Sequence, residues 1–167
     1  MVTGSSDGIG EVLANRLGEA GAKVVLVARS KEKLEKVQKD IEGKGAEASC
    51  FPADLADRDS TLNCLANILK THGHVDILIN NAGRSIRRSV EYQYDPERFH
   101  DFTRTMDLNG SGSLRMILGV LPQMRKQKNG QIINVSSIGV LTGPRPMWHL
   151  KLTISKDCIC DCPYNHC

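Results

Sequence analysis

Strand-like apolar runs alternate with helix-period segments along most of the chain. Met1-Val2-Thr3 is a short strand-like run at the start. Ile9, Val12, Leu13, Leu17 and Ala20 then recur at helical spacing, and Gly21 is placed to stop that helix. Lys23–Ala28 is continuous and largely β-branched, the pattern of a strand buried on both faces. Ser30 is positioned to cap a helix over Lys31–Glu42, with Leu34, Val37 and Ile41 along one face. Ala46–Phe51 predicts a short strand. Asp57 predicts the cap of a helix reaching His72 through Leu62, Leu65, Ile68 and Leu69. Asp76–Asn80 and Gln131–Val135 read as strands. Between them Pro96 opens a helical stretch to Lys128, with a break expected near Gly110 and Gly112. Repeated strand–helix units of this size predict an α/β domain with a parallel sheet and right-handed crossovers. No internal repeat, low-complexity tract or long linker interrupts it. After Pro144 the pattern changes, and Trp148–Ser155 alternates with period two, as a strand does.

Composition narrows this only a little. The 167 residues suggest one domain, and 40% hydrophobic with 25% charged residues exclude a disordered or collagenous chain. A net charge of +3 gives no field that points to nucleic acid or an anionic membrane as the main partner. The longest apolar stretches, such as Val24–Ala28, are far too short for a membrane span, and no secretory signal is expected. An intracellular, cytoplasmic protein is therefore expected. Six cysteines are present, and Cys158, Cys160, Cys162 and Cys167 fall within the last ten residues.

The first candidate chemistry lies between the opening strand and the first helix. Thr3-Gly4-Ser5-Ser6-Asp7-Gly8-Ile9-Gly10 places small residues where a backbone can approach a pyrophosphate and a helix N-terminus can offer its free N–H groups. The second strand ends Ala28-Arg29-Ser30, with no carboxylate to bond the hydroxyls of an unphosphorylated ribose. Arg29 suits a 2′-phosphate through its planar fork, so NADP is favoured over NAD; a solvated surface arginine is the plainer alternative.

These residues resemble the short-chain dehydrogenase/reductase family. The matching stretches are Thr3–Gly10, Asp54-Leu55 after the third strand, Asn80-Asn81-Ala82-Gly83 after the fourth, and Asn134-Val135-Ser136-Ser137 after the fifth. The resemblance implies a Rossmann-like doubly wound sheet, incomplete because its first strand is clipped and its later strands and helices are missing. It covers residues 1–143, leaving 144–167 as a cysteine-rich tail unlike the family. Residue by residue, it implies that Gly4, Ser6, Gly8, Ile9 and Gly10 hold the pyrophosphate and that Asp54, with Leu55 beside it, contacts the adenine. It places Asn81, Ala82 and Gly83 at the nicotinamide ribose. Asn109 matches an asparagine anchoring a proton-relay water, and Ser137 a serine bonding the oxygen of a carbonyl or alcohol substrate. From Arg84 to Asn109 the chain looks most like reductases of fatty acyl-CoA or long-chain carbonyls. Taken singly, Asn80 and Asn81 could serve only to satisfy strand ends, and Asn109 a helix break.

Hydride transfer needs a proton donor or acceptor near the substrate oxygen. The family uses a tyrosine with a lysine four residues later, about a dozen positions after the serine. Here that region holds His149, Leu150 and Lys151, and no tyrosine in the chain has a lysine four places on. The expectation is a fragment or aberrant product, clipped at both ends. A catalytically silent nucleotide-binding or dimerising module, and a non-functional fragment, stand beside the NADP-dependent oxidoreductase as alternatives.

Smaller features carry expectations too. The terminal cysteines with His166 offer soft ligands for zinc, but their one-residue spacing favours an arbitrary tail, and a reducing compartment argues against disulfides. No metal site is expected. Cys50 and Cys64 read as core residues. His72-Gly73-His74 reads as a helix end rather than a metal pair. Arg84, Arg87 and Arg88 either meet an anionic substrate group or form a solvated loop. Leu114, Ile117, Leu118 and Leu121 resemble the family's dimer-forming helix, with packing on the sheet as the alternative.

Overall fold

The computed structural model describes residues 1–85, 97 and 99–137. Its elements run β1 (Val2–Thr3), α1 (Gly8–Glu19), β2 (Val24–Ala28), α2 (Lys31–Glu42), β3 (Ala48–Pro52), α3 (Arg58–His72) and β4 (Ile77–Asn80). Then come α4 (Phe99–Met106), a wide π-helical stretch (Asp107–Gly112), α5 (Ser113–Gln127) and β5 (Gln131–Asn134). All strand pairings are parallel, in the order β3-β2-β1-β4-β5. The chain therefore winds outward from β1 to β3, then crosses back to build β4 and β5 on the other side. β1 and β4 lie side by side at that reversal, where the loops leaving them diverge and open a crevice.

The run expected to be buried on both faces behaves so. All five residues of β2 are buried, and because successive side chains point to opposite faces, they divide between two cores. Val25 and Val27 join Leu78 beneath Leu65 and Ile68 of α3 and Met116 and Val120 of α5. Val24, Leu26 and Ala28 join Val2 and Ile79 beneath Ala14 of α1 and Leu34, Val37 and Ile41 of α2. The helix starts also match: the Ser30 hydroxyl accepts from the Lys33 N–H (3.4 Å), and the Asp57 carboxylate accepts from the Ser60 N–H (2.6 Å). Gly21 and Gly73 carry the positive φ that ends α1 and α3.

Helix α1 departs from its expected stripe. Ile9 and Val12 are 70% and 62% exposed, and Ala20 is exposed, whereas Gly10, Ala14 and Gly18 are buried; Leu13 and Leu17 are only half-buried. The helix lies too close to its neighbours for large side chains. A Cβ on Gly10 would run into the Gly4 carbonyl and come within 2.6 Å of the Asn81 side-chain nitrogen, and one on Gly18 would meet Ile41 at 2.8 Å. Apolar periodicity weights bulk, so a stripe chosen for smallness is not seen by it.

The expected break near Gly110 and Gly112 is instead a π-helical widening within one continuous helical run. A Cβ on Gly112 would sit 2.6 Å from the Leu55 carbonyl, so glycine marks a close approach here rather than a helix end. Cys64 is buried as expected, while Cys50 is half-buried beside the α2 core. Burial pushes both thiols up to about 11, with Glu35 and Glu42 adding to the rise at Cys50, so neither is a ready nucleophile. His72 shares a hydrogen bond with the Ser49 hydroxyl (2.9 Å), and His74 sits 3.5 Å from Asp76. Among the described residues no cluster of His, Cys, Asp or Glu could hold a metal, and no helix is long and apolar enough to cross a membrane. Pro96, Arg87, Arg88, the 148–155 strand, the terminal cysteines and His166 lie outside the described residues.

Two outcomes follow for folding. Gly10→Ala forces the α1 backbone away from the β1 loop and lowers stability by about 3 kcal/mol or more, an overpacking cost against immovable backbone. Gly8→Ala, which meets open space at φ +58°, costs only about 1–2 kcal/mol of left-handed strain. Urea midpoints compare the two, and equal losses would contradict the close approach.

Candidate functional site

At the reversal point the end of β1 is stitched to the end of β4. Thr3 is 1% exposed, and its hydroxyl donates to the Ile79 carbonyl (3.3 Å) while accepting from the Asn81 and Ala82 N–H groups (both 3.0 Å). The Asn81 amide answers by donating to the carbonyls of Thr3 (3.1 Å) and Gly4 (3.3 Å). Gly4 must be glycine: its φ is +67°, and a Cβ would lie 2.8 Å from the Ala82 Cα. Its N–H donates to the Val27 carbonyl (2.7 Å), tying the loop to β2 as well. Ser5 beneath it is fully buried, its hydroxyl without a partner among the described residues.

Above this floor lies a cleft of about 740 Å³. Gly4, Ser6, Gly8 and Ile9 form its loop wall, at the open N-terminus of α1. Ile9, counted by periodicity toward the core, is exposed because it faces this cleft. Arg29 and Ser30 line the end of β2, Leu55 the end of β3, and Asn81, Ala82 and Gly83 the end of β4. The arrangement brings together most of the residues singled out by sequence. Gly10 is under the loop rather than on its surface. Asp54 is exposed beside the wall, its carboxylate accepting from the Ala56 N–H (3.0 Å).

Asn109 and Ser137 are placed differently. Asn109, in the π-helical stretch, grips the backbone of one residue. Its Oδ1 accepts from the Arg84 N–H and its Nδ2 donates to the Arg84 carbonyl, both at 2.8 Å. It therefore fixes the loop that leaves β4, while its neighbour Leu108 reaches the cleft itself. Widened helical turns of this kind recur at functional sites. Ser137 is exposed, three residues beyond the end of β5, and does not line the cleft.

Sequence reasoning missed several lining residues, among them Asp7, Glu32, Lys33 and Leu108. Asp7 stands at the N-cap of α1, but its side chain makes no cap bond. The carboxylate turns to Lys33 instead, with Nζ–Oδ2 2.8 Å, and that bond and charge raise the lysine pKa. A signal was available: Ser30 as N-cap of α2 puts Lys33 in the first helical turn, at the cleft side. In charge, the mouth holds Arg29 and Lys33 against Asp7 and Glu32.

Comparison with known proteins agrees with this geometry. Residues 1–148 match the short chain dehydrogenase family. A fatty acyl-CoA reductase of Acinetobacter baylyi is 55% identical over 141 residues, covering 84% of this chain and 47% of the relative. An uncharacterized oxidoreductase of Mycobacterium tuberculosis is 47% identical over 165 residues, covering 96% of this chain and 48% of the relative. The chain thus spans about half the length of these curated relatives. Among solved structures, a metagenomic short-chain oxidoreductase in complex with NADP is 31% identical with a TM-score of 0.85, over 92% of this chain and 68% of that one. NAD+-bound xylitol dehydrogenase is 30% identical with a TM-score of 0.83, over 92% and 58%. With its sheet order, its glycine loop and the stitched β1–β4 crevice, the chain belongs to the short-chain dehydrogenase family of oxidoreductases.

Proposed function

We propose that this chain forms the NADP-holding part of an oxidoreductase that acts on a carbonyl or alcohol of a long-chain, acyl-like substrate. The observation that carries the reading is Arg29 at the end of β2, lining the same cleft as the glycine loop. The residues present fit a dinucleotide. Gly4 and Gly8 hold positive φ, the missing Cβ of Gly10 lets helix and loop touch, and Asp7 leaves the α1 N-terminus uncapped. Gly4, Ser6, Gly8, Ile9 and Gly10 would form the pyrophosphate cradle, and Arg29 and Ser30 the 2′-phosphate site. Asp54 and Leu55 would flank the adenine, and Asn81, Ala82 and Gly83 the nicotinamide ribose. The 55% identity to a fatty acyl-CoA reductase supports the substrate class.

Held there, a nicotinamide cofactor would supply hydride exchange with the carbonyl or alcohol carbon. The chain's own part is to orient: Asn109 positions the loop after β4 through Arg84, and Ser137 would bond the substrate oxygen. The balancing proton is another matter, because the sequence contains no Tyr-x-x-x-Lys pair. That observation favours a second reading for these 167 residues taken alone, namely nucleotide binding without turnover. Leu114 and Leu118 are 54% and 58% exposed on α5, whereas Met116, Val120 and Met124 pack inward. This supports α5 as a surface for a second copy of the chain.

Fluorescence titration should show saturable binding of NADPH, tighter than NADH, without oxidation of NADPH when a long-chain aldehyde or acyl-CoA is added. Arg29→Asp should weaken NADPH by about tenfold or more and shift preference toward NADH, the loss expected for a charged contact replaced by repulsion. Absence of a saturable signal with either dinucleotide would overturn the cofactor reading. An unchanged preference in the variant would remove Arg29 from it.

A further inference from the structure

The ion pair at the cleft mouth does little for the fold. The side chains of Lys33 and Asp7 are 59% and 67% exposed, so water and salt screen their attraction and holding two flexible side chains together offsets much of it. Nor does Asp7 serve α1 as a cap, although it occupies the cap position. Lys33, by contrast, is placed with some care. Its backbone N–H is held by the Ser30 cap, and its ammonium reaches across to a loop 26 positions earlier in the chain. Both partners line the same cleft as Arg29.

We infer that Lys33 is a second specificity-determining cation for a dinucleotide carrying a 2′-phosphate, with Asp7 as its exchangeable counterion. The inference rests on the cofactor reading above and assigns the selectivity within it. A phosphate monoester near neutral pH carries more negative charge than a carboxylate and presents more acceptor oxygens, so it competes well for an exposed lysine. Arg29 alone is balanced by Glu32, the other acid on the cleft. Releasing Lys33 from Asp7 leaves the formal charge of the mouth unchanged but frees a second cation, besides Arg29, to face a phosphate on the ribose. Asp7 then tunes the discrimination, because every phosphate contact to Lys33 must displace it.

Binding of NADPH and of NADH to the 167-residue chain, followed by cofactor fluorescence, tests this. Lys33→Gln should weaken NADPH about tenfold, the loss of one charge-assisted contact, and leave NADH within about twofold. Lys33→Arg should retain the preference. Asp7→Asn should tighten NADPH several-fold, and most of that gain should vanish in the double variant with Lys33→Gln. Circular dichroism of each variant should match the parent, since both side chains are exposed. Saturable NADPH binding that is unchanged in Lys33→Gln, or weakened equally for both dinucleotides, overturns the role of Lys33 and leaves the cofactor reading standing. No saturable NADPH signal in the parent overturns both.

Discussion

Everything at the site depends on how closely three backbones meet around Thr3. The β1 loop, the first turn of α1 and the end of β4 share a space in which Gly4, Gly10 and Asn81 leave no room for an added methyl group. The Thr3 hydroxyl and the Asn81 amide then satisfy the polar groups that this crowding would otherwise strand. Buried donors and acceptors left without partners are expensive, so the network and the close packing need each other. The crevice exists because the loops are held together at their roots and diverge only beyond them.

The sheet supplies the rigid frame for this arrangement. β2 has no solvent face, and its side chains supply alternate members to two separate cores. Helices on both sides are thereby fixed relative to one strand. The loops at its end, carrying Arg29 and Ser30, inherit that rigidity, and sites built on such ends are held more firmly than sites on free loops.

Much of this was legible in the chain. Strand and helix order followed from periodicity because β2 and α2 bury large apolar residues in regular stripes, and α3 does so at Leu65 and Ile68, although Leu62 of its expected stripe is exposed. Gly4, Arg29 and Asn81 could be placed because strand–loop–helix context gives such residues few alternatives. The α1 stripe was not legible, since Gly10, Ala14 and Gly18 are selected by proximity and leave no hydrophobic signature. The same holds for Gly112, whose role is to admit the Leu55 carbonyl and not to end a helix. Lys33 and Asp7 were missed for another reason. The Ser30 cap marks Lys33 for the first turn of α2, but its meeting with Asp7 depends on the relative positions of two elements 26 residues apart, which no local pattern encodes.

The π-helical stretch has a reach that its six residues conceal. Within it, Leu108 forms part of the cleft wall, Asn109 holds the Arg84 backbone beyond β4, and Gly112 rests on the carbonyl of Leu55 beyond β3. One widened turn therefore braces the sides that would meet the adenine and the nicotinamide. The gauge of the cleft is set there, by a segment that contributes one side chain to its lining. Narrowing that turn to ordinary helical pitch would move both walls together, so the two ends of a bound dinucleotide would register the change as a single event.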